Sequence, residues 1–164
     1  MCGICAFFDP ELKDKDCAIQ GMMDTIKHRG PSSDGKYTND QVALGFRRLS
    51  IIDLRGGSQP IFNEDKSRAI IFNGEIYNFK PLRKELIDAG HTFTTKADTE
   101  VLLHGYEEWG MDGLLKKVRG MFAFVIWDDN TKTLYGARDF FGIKPMYYSC
   151  LLYTSDAADE GLGV

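Results

Sequence analysis

The chain has 164 residues, of which 43% are hydrophobic and 27% are charged, and its formal net charge is −4. These proportions are ordinary for a globular protein, and the length suits one domain. The charge gives no general attraction to nucleic acid, and no apolar run approaches the roughly 20 residues that cross a membrane. A basic segment followed by a long apolar region is missing from the N-terminus, so we expect no signal peptide and a cytoplasmic location with reduced thiols.

The first residues combine a predicted strand with an unusually placed cysteine. Residues 3–9 form a short apolar run that ends at Asp9-Pro10, which predicts a buried strand. Cys2 follows Met1, so removal of Met1 leaves a thiol and a free α-amino group on one residue. An α-amino group titrates near about 8, so this residue can hold both nucleophile and base. Taken alone, Cys2 is better explained as merely the second residue of a buried strand.

Cys2 and Cys5 also form a C-x-x-C pair, which raises the question of a zinc or redox site. A structural zinc site needs a second close pair, and the sequence has none. Residues three apart on a strand point to opposite faces, so we expect the two thiols to diverge. We therefore do not expect this pair to bind metal or to cycle as a disulfide.

The remaining pattern predicts short strands with few helices between them. Helical spacing of apolar residues predicts helices around residues 19–26 and 82–87 and from 98 or 99 to 106. Strands are predicted over residues 42–46, 68–72, 121–127 and 133–137, with shorter ones near residues 93 and 145–149. Turn-forming residues predict loops over 13–16, 28–35 and 55–60, and Asn73-Gly74 predicts a tight turn. Two sheets flanked by helices fit this order better than a regular βαβ alternation.

Five short stretches stand out in order along the chain. They are Met1-Cys2-Gly3-Ile4, residues 28–35, residues 48–53, residues 73–78, and Asp98-Thr99-Glu100. Together they resemble the class II glutamine amidotransferases, N-terminal-nucleophile hydrolases whose mature chain begins with cysteine. The RLSIID and FNGEIYNF stretches and RDFFGIKPMYY (residues 138–148) are similar to glutamine-hydrolysing asparagine synthetases. The resemblance covers residues 1 to about 149.

The resemblance implies an α+β fold in four layers (αββα), with two mainly antiparallel sheets between helices. It also implies glutamine hydrolysis to glutamate and ammonia through a γ-glutamyl thioester on Cys2. Glutamine carries a carboxylate, an ammonium and an amide, so its site needs a cation, an anion and an acyl-transfer centre. The roles implied are oxyanion binding by Asn73 and Gly74, carboxylate binding by Arg48, ammonium binding by Asp98 with help from Glu75, and pocket lining by Leu49, Ser50, Ile51 and Ile52.

Each assignment has a simpler alternative at this stage. Arg48 fits a surface charge beside Arg47, Asn73-Gly74 a hairpin turn, and Asp98 a helix cap. Residues 28–35 fit a plain loop, although Arg29 is a candidate for orienting the site. The family places an acid directly after the proline of this loop, whereas this chain has two serines before its aspartate.

A histidine partner for Cys2 also stays open. No histidine is required by the mechanism that the resemblance implies, because the α-amino group moves the protons. His28, His91 and His104 lie far apart in the sequence. The sequence alone does not decide whether any of them faces the cysteine.

Asparagine synthetases need a second domain that uses ATP to adenylate aspartate, and its pyrophosphate loop is absent from this chain. We therefore expect no cofactor for the glutaminase step, with ATP and Mg²⁺ used only in that missing domain. Glutamine is the expected ligand, ammonia passes to the synthetase domain, and a homodimer is possible for a full-length protein. The alternatives are an amidotransferase with a sugar or antibiotic precursor as acceptor, or an inactive glutamine-binding remnant.

Residues 150–164 do not resemble the family, and we expect them to be a foreign tail of the kind produced by sequencing-adapter read-through. On that expectation the glutaminase domain ends early at about residue 149. Missing strands would then leave exposed sheet edges, so we expect the isolated chain to be poorly stable.

Overall fold

Two antiparallel sheets with helices on their outer faces make up the part of the chain that the computed structural model describes, residues 2–49 and 58–150. The first sheet has the strand order β1-β3-β2 and the second has the order β4-β5-β6-β7. The strands are β1 (Gly3–Phe8), β2 (Ser33–Thr38), β3 (Val42–Arg48), β4 (Ile61–Phe62), β5 (Arg68–Ile76), β6 (Gly120–Asp128) and β7 (Thr133–Arg138). The helices are α1 (Lys15–Thr25), α2 (Phe79–Asp88) and α3 (Thr99–Lys117), with a short 3-10 helix at Lys27–Arg29.

Side-chain alternation along the strands produces the four layers. In β3, Val42, Leu44 and Phe46 face the second sheet, where they join a buried cluster with Ile71 and Trp127. The intervening residues of β3 face α1, and Ala43 packs there with Ile19 and Met23. Successive strand residues point to opposite faces, so one strand serves both layers.

The outer face of the second sheet is covered by α2 and α3. Phe72, Phe124 and Ile126 of this sheet pack against Leu86 and Leu102 in the largest buried cluster. The order is therefore α1, first sheet, second sheet, α2 with α3, which confirms the four-layer α+β prediction. None of the described helices is long and apolar enough to cross a membrane.

Most predicted elements are confirmed, including the β6–β7 hairpin, in which Asp128 lies opposite Thr133. Several local predictions were wrong. Residues 33–38 form β2 instead of a loop, α1 begins inside the predicted loop at 13–16, and neither residue 93 nor residues 145–149 form a strand. The N-cap Asp14 explains the earlier helix start, because its Oδ1 accepts the Cys17 N–H at 3.0 Å.

Arg47 explains why a stretch of poor strand formers pairs as β2. Its buried guanidinium donates to Asp34 of β2 at 3.0 Å and to Asp24 of α1 at 2.6 Å. Its Nε also donates to the Met23 carbonyl oxygen at 3.1 Å. Tertiary pairing of this kind overrides the weak strand preference of Ser33-Asp34-Gly35. Asp34, the acid of this loop, is therefore engaged with Arg47.

A second buried carboxylate connects the hairpin to α3. Asp128 is 1% exposed, and its Oδ2 accepts the Tyr106 hydroxyl at 2.8 Å and the Arg68 Nε–H at 3.1 Å. Its Oδ1 accepts the Asn130 N–H at 2.9 Å. Burial acts to raise the pKa of Asp128, but the Tyr106 hydroxyl and Arg68 outweigh it and hold the pKa below the usual 3.8.

We expect Asp128→Ala to lower the free energy of unfolding by about 3 kcal/mol, because it removes the buried carboxylate that accepts hydrogen bonds from both the Tyr106 hydroxyl and the Arg68 Nε–H. Urea unfolding followed by circular dichroism measures this. Asp88→Ala is the matched control, because Asp88 pairs with Lys84 at the surface and its loss should cost less than about 1 kcal/mol. Equal costs for the two variants would contradict the assignment.

The contribution of Asp128 to the free energy of unfolding also depends on pH. Since the folded pKa is lowered, this contribution is fully present above pH about 3.8 and is lost as the pH falls through the folded pKa.

Candidate active site

A cavity of about 290 Å³ opens where the ends of β1 and β3 meet the middle of β5 and the start of α3. Its volume lies at the lower end of ligand sites, which run from about 300 Å³ upward, so it suits a molecule of amino-acid size. The lining includes five of the residues singled out from the sequence, together with Leu49 of the predicted pocket wall. The complete lining is Cys2, Phe46, Arg48, Leu49, Gln59, Phe72, Asn73, Gly74, Ala97, Asp98, Thr99 and Lys144.

Cys2 precedes β1 and packs against the buried cluster between the two sheets. Cys5 packs on the opposite side of β1, against the cluster under α1, as its position three residues later predicted. Burial raises the pKa of the Cys5 thiol to about 11, and its Sγ lies 3.8 Å from the Gly45 carbonyl oxygen. The two thiols therefore serve different layers, and only Cys2 faces the cavity.

The adjacent arginines have separate tasks. Arg47 is committed to its ion pairs with Asp24 and Asp34, whereas Arg48 lines the cavity. Gly3 pairs with Arg47 in an antiparallel ladder, which places Cys2, one residue before Gly3, beside Arg48, one residue after Arg47. A planar guanidinium thus lies at the same end of the first sheet as the thiol. Ser50, Ile51 and Ile52 lie outside the described residues.

The loop before β2 contacts the backbone of Arg47 and Arg48 and holds this end of β3 in place. A Cβ on Gly30 would lie 2.4 Å from the carbonyl carbon and oxygen of Arg47, so only glycine fits this close approach. The Ser32 N–H donates to the Arg48 carbonyl oxygen at 3.0 Å. Arg29 packs near Gly3 but does not line the cavity.

Asn73 and Gly74 lie within β5, opposite Ala123 and Phe122 of β6, so the predicted tight turn at this position was wrong. The chain turns only at Tyr77-Asn78. Asn73 shares its strand face with Ile71 and is directed between the sheets. A strand, not a turn, therefore carries both predicted oxyanion donors.

The edge of β5 explains how a strand residue offers its N–H to a ligand. The Phe122 N–H and carbonyl bond to Asp139, on the β7 side, so the Gly74 N–H points away from β6. On this same edge the Phe72 N–H donates to Gln59 Oε1 at 2.6 Å and the Ile76 N–H donates to Asp98 Oδ2 at 2.8 Å. The Gly74 N–H lies between these two and beside the cavity.

Glycine is required at position 74 by the closeness of β6. A Cβ there would lie 2.2 Å from the Met121 carbonyl oxygen and 2.7 Å from the Phe122 Cα. Both atoms belong to the backbone of a paired strand and cannot move aside easily. The same approach of the two strands therefore fixes the residue type and the position of the N–H.

Asp98 holds the N-cap position of α3, but its side chain makes no capping hydrogen bond. Its carboxylate is directed instead to the edge of β5, where it accepts the Ile76 N–H. Burial raises the pKa of Asp98 above its usual 3.8, and the charge of Glu75 adds to this in a smaller way. Glu75 itself is exposed and does not line the cavity.

Two polar lining residues were not selected from the sequence. Gln59 lies in the predicted 55–60 loop and bonds to β5, and Lys144 lies in the RDFFGIKPMYY stretch. Asp139 positions Lys144, because its Oδ2 accepts the Lys144 N–H and its Oδ1 accepts the Ile143 N–H, both at 2.9 Å. Lys144 could have been selected as a candidate, because it lies in a stretch that resembles the family. No motif in the sequence around Gln59 indicated a role at the site.

Within the described residues the cavity lining includes no histidine. His28 is exposed beside α1. His104 belongs to α3, and His91 lies beside it, with ring centroids 5.1 Å apart. The structure thus gives no support to a Cys–His pair at Cys2.

The sequence matches the glutamine amidotransferase domain family over residues 1–159. The chain belongs to that family. Among curated relatives it is 50% identical over 155 residues to asparagine synthetase [glutamine-hydrolyzing] 1 of Bacillus subtilis, covering 92% of this chain and 24% of the relative. It is 42% identical over 149 residues to asparagine synthetase [glutamine-hydrolyzing] 2 of Arabidopsis thaliana, covering 90% of this chain and 25% of the relative.

A solved glutamine phosphoribosylpyrophosphate amidotransferase from Bacillus subtilis is 27% identical, with a TM-score of 0.48 over 62% of this chain and 24% of that chain. This chain spans about a quarter of the length of the curated relatives it matches. It corresponds to the glutamine amidotransferase part of such enzymes. The domain boundary predicted near residue 149 stays a prediction.

Proposed function

We propose that this domain hydrolyses glutamine to glutamate and ammonia, with Cys2 as the nucleophile. The observation that carries the proposal is the convergence of Cys2, Arg48, Asn73, Gly74 and Asp98 on one cavity of about 290 Å³. These residues come from four separate stretches of the sequence. Their types supply the nucleophile, the cation, the anion and the oxyanion donors that glutamine hydrolysis requires.

The two charged residues bind the two ends of the amino-acid group. The Arg48 guanidinium offers a planar fork to the α-carboxylate, and the Asp98 carboxylate accepts the α-ammonium. Asp98 is bonded to β5 at Ile76, two residues beyond the Gly74 donor. Binding the amino-acid group at Asp98 therefore directs the side-chain amide along β5 towards Gly74 and Cys2.

The reaction proceeds in two steps. The Cys2 sulfur bonds to the amide carbon and, once the nitrogen has been protonated, the C–N bond breaks and ammonia leaves a γ-glutamyl thioester. Water then adds to the thioester carbon, the C–S bond breaks, and glutamate and the thiol are released. The α-amino group of Cys2 carries the protons, which requires that Met1 has been removed.

Both steps place negative charge on the former amide oxygen. The Asn73 side-chain amide and the Gly74 N–H are the donors for this oxyanion. Both sit on a strand that is paired along β6, so they are held in place before the reaction begins. A donor fixed in advance stabilises the charge without reorganisation at the moment of reaction.

The ammonia is used, on this proposal, by an ATP-dependent domain that adenylates aspartate, as in an asparagine synthetase. The names of the curated relatives support this acceptor. The glutaminase step itself uses no cofactor, and ATP and Mg²⁺ serve the synthetase step only. The proposal includes a cytoplasmic location and a homodimeric full-length protein.

Replacing the nucleophile tests the activity itself. We expect Cys2→Ala to reduce glutamate release from glutamine to the uncatalysed background, measured by mass spectrometry of the products. Cys17→Ala is the matched control, because Cys17 is an exposed thiol on α1 and should retain full activity. Mass spectrometry of the intact protein first establishes the fraction that has lost Met1.

Equal glutamate release from folded wild-type protein and Cys2→Ala would refute glutaminase activity and leave a glutamine-binding remnant. Full activity in protein that retains Met1 would refute the α-amino base but not the nucleophile. The two parts of the mechanism are thereby tested separately.

The oxyanion role predicts a specific kinetic pattern for Asn73→Ala. We expect kcat to fall by about 10²–10³-fold with little change in KM, because the lost donor acts on charge that develops in the transition state. Asn130→Ala, in the exposed β6–β7 turn, is the matched control. A raised KM with unchanged kcat would show that Asn73 binds the substrate only.

Asp98→Asn tests ammonium binding while retaining an acceptor for the Ile76 N–H. We expect KM to rise about 10- to 100-fold, because a hydrogen bond to a charged group contributes about 1.5–3 kcal/mol. Since burial raises the Asp98 pKa, the wild-type KM should rise as the pH falls through that raised value. The Asp98→Asn variant should lose this limb of the pH profile.

Glu75→Gln provides the comparison for Asp98→Asn. Glu75 does not line the cavity, so its replacement should change KM less than about threefold and leave the pH profile in place. A larger effect for Glu75→Gln than for Asp98→Asn would reverse the assignment of the ammonium site.

A further inference from the structure

Three potential metal ligands meet where α3 packs against the segment that follows α2. They are His91, His104 and Glu107, and one ligand atom from each lies within 4.8 Å of the others. His104 is 1% exposed, while His91 and Glu107 are partly exposed, so the cluster is open to solvent on one side. None of the three lines the glutamine cavity.

The distances fit one small cation after slight adjustment. His104 Nδ1 lies 2.8 Å from Glu107 Oε2, and His91 Nδ1 lies 3.9 Å from the same oxygen. A tetrahedral zinc ion with bonds of about 2.0–2.2 Å separates its ligand atoms by about 3.3–3.6 Å. The two distances to Glu107 bracket that value, and the ligand atoms of the two histidines lie within 4.8 Å of each other, so side-chain movements of about 1 Å would suffice.

Glu107 is held so that one oxygen faces the histidines. Its Oε1 accepts the Asn63 Nδ2–H at 2.7 Å and the Arg68 Nη1–H at 3.1 Å. Its Oε2 is directed to the two imidazoles. The carboxylate is therefore oriented by groups outside the cluster.

The far nitrogen of each histidine faces a further carboxylate. His91 Nε2 lies 3.2 Å from Glu108 Oε2, and His104 Nε2 lies 3.7 Å from Glu100 Oε1. Metal-binding histidines usually present their other ring nitrogen to such an acceptor, which fixes the tautomer and raises ligand basicity. His91 already has this arrangement, with its Nδ1 left to face the cluster, whereas His104 Nε2 lies beyond hydrogen-bond distance of Glu100.

We propose that His91, His104 and Glu107 bind one divalent transition-metal ion, with zinc as the best fit. Two imidazoles and a carboxylate form a ligand set suited to zinc, with a fourth position left for water. The nearby Glu100 and Glu108 outweigh Arg68 in charge, so a cation is favoured here electrostatically.

The ion would join the segment after α2 to the first half of α3. That segment leads through Thr94 and Thr95, which bond to Glu100, and then to Ala97 and Asp98 at the glutamine cavity. The site is thus structural in character, and its occupancy stabilises the chain.

Metal binding to the full chain tests the proposal. A background with Cys2, Cys17 and Cys150 each changed to Ala removes the thiols that would bind zinc themselves. Cys5 remains as a buried thiol whose pKa of about 11 keeps it protonated near neutral pH. After removal of metal with a chelator, Zn²⁺ is titrated by calorimetry and Co²⁺ by its visible absorption bands.

We expect one ion per chain and a higher Tm with Zn²⁺. His91→Ala and Glu107→Gln should each weaken binding at least about 100-fold, since loss of an outer partner alone costs about 10- to 100-fold. His28→Ala, an exposed histidine outside the cluster, should bind as the background does. Circular dichroism establishes that each variant is folded.

Several results would overturn the metal site. Failure of the folded background to bind either ion would refute the metal site and leave His104 and Glu107 as an ordinary hydrogen-bonded pair. Undiminished binding in His91→Ala and Glu107→Gln would place the ion elsewhere. If one of these variants does not fold, the NMR signals of the His91 and His104 rings are followed in the background as Zn²⁺ is added. Shifted signals support binding at these residues, and unshifted signals refute the site.

Discussion

The candidate site depends on one edge of β5. In the described part of the chain, β4 pairs with β5 only at Ala69 and Ile70, so the edge beyond them is left to side chains and the cavity. Backbone alternation then directs the N–H groups of Phe72, Gly74 and Ile76 to that edge. Gln59 and Asp98 accept the outer two, which leaves the central donor beside the ligand space. A short partner strand therefore leaves the proposed oxyanion donor beside the cavity.

The first sheet brings Cys2, the proposed nucleophile, to that edge. β1 begins where the antiparallel β3 ends, so Cys2, just before β1, and Arg48, the last residue of β3, are neighbours. Arg47 fixes this end through Asp24, Asp34 and the Met23 carbonyl, at the cost of removing one of two adjacent arginines from the site. Consecutive strand residues face opposite ways, so one arginine supports the fold while the next faces the cavity.

Periodicity in the sequence predicted most strands and helices, because alternation and helical spacing report which faces are buried, whereas the four-layer arrangement came from the family resemblance. The turn predicted at Asn73-Gly74 failed because local turn preference was outweighed by pairing along β6, where glycine is needed for a close approach. β2 was missed since its stability comes from Arg47, fourteen residues after Ser33. Gln59 was not predicted because its role depends on a backbone N–H of another strand, which no local pattern reveals.

At the start of α3, the balance of burial and hydrogen bonding shifts the pKa values of Asp98 and Glu100 in opposite directions, although the two carboxylates are only two residues apart. Burial acts to raise the pKa of both. Glu100 accepts hydrogen bonds from the N–H and hydroxyl groups of Thr94 and Thr95, and these outweigh burial and lower its pKa. Asp98 accepts the Ile76 N–H, and burial prevails. Glu100 is held by four hydrogen bonds from two threonines, whereas Asp98 keeps a raised pKa beside the cavity, so the proposed ammonium would favour the charged form of Asp98.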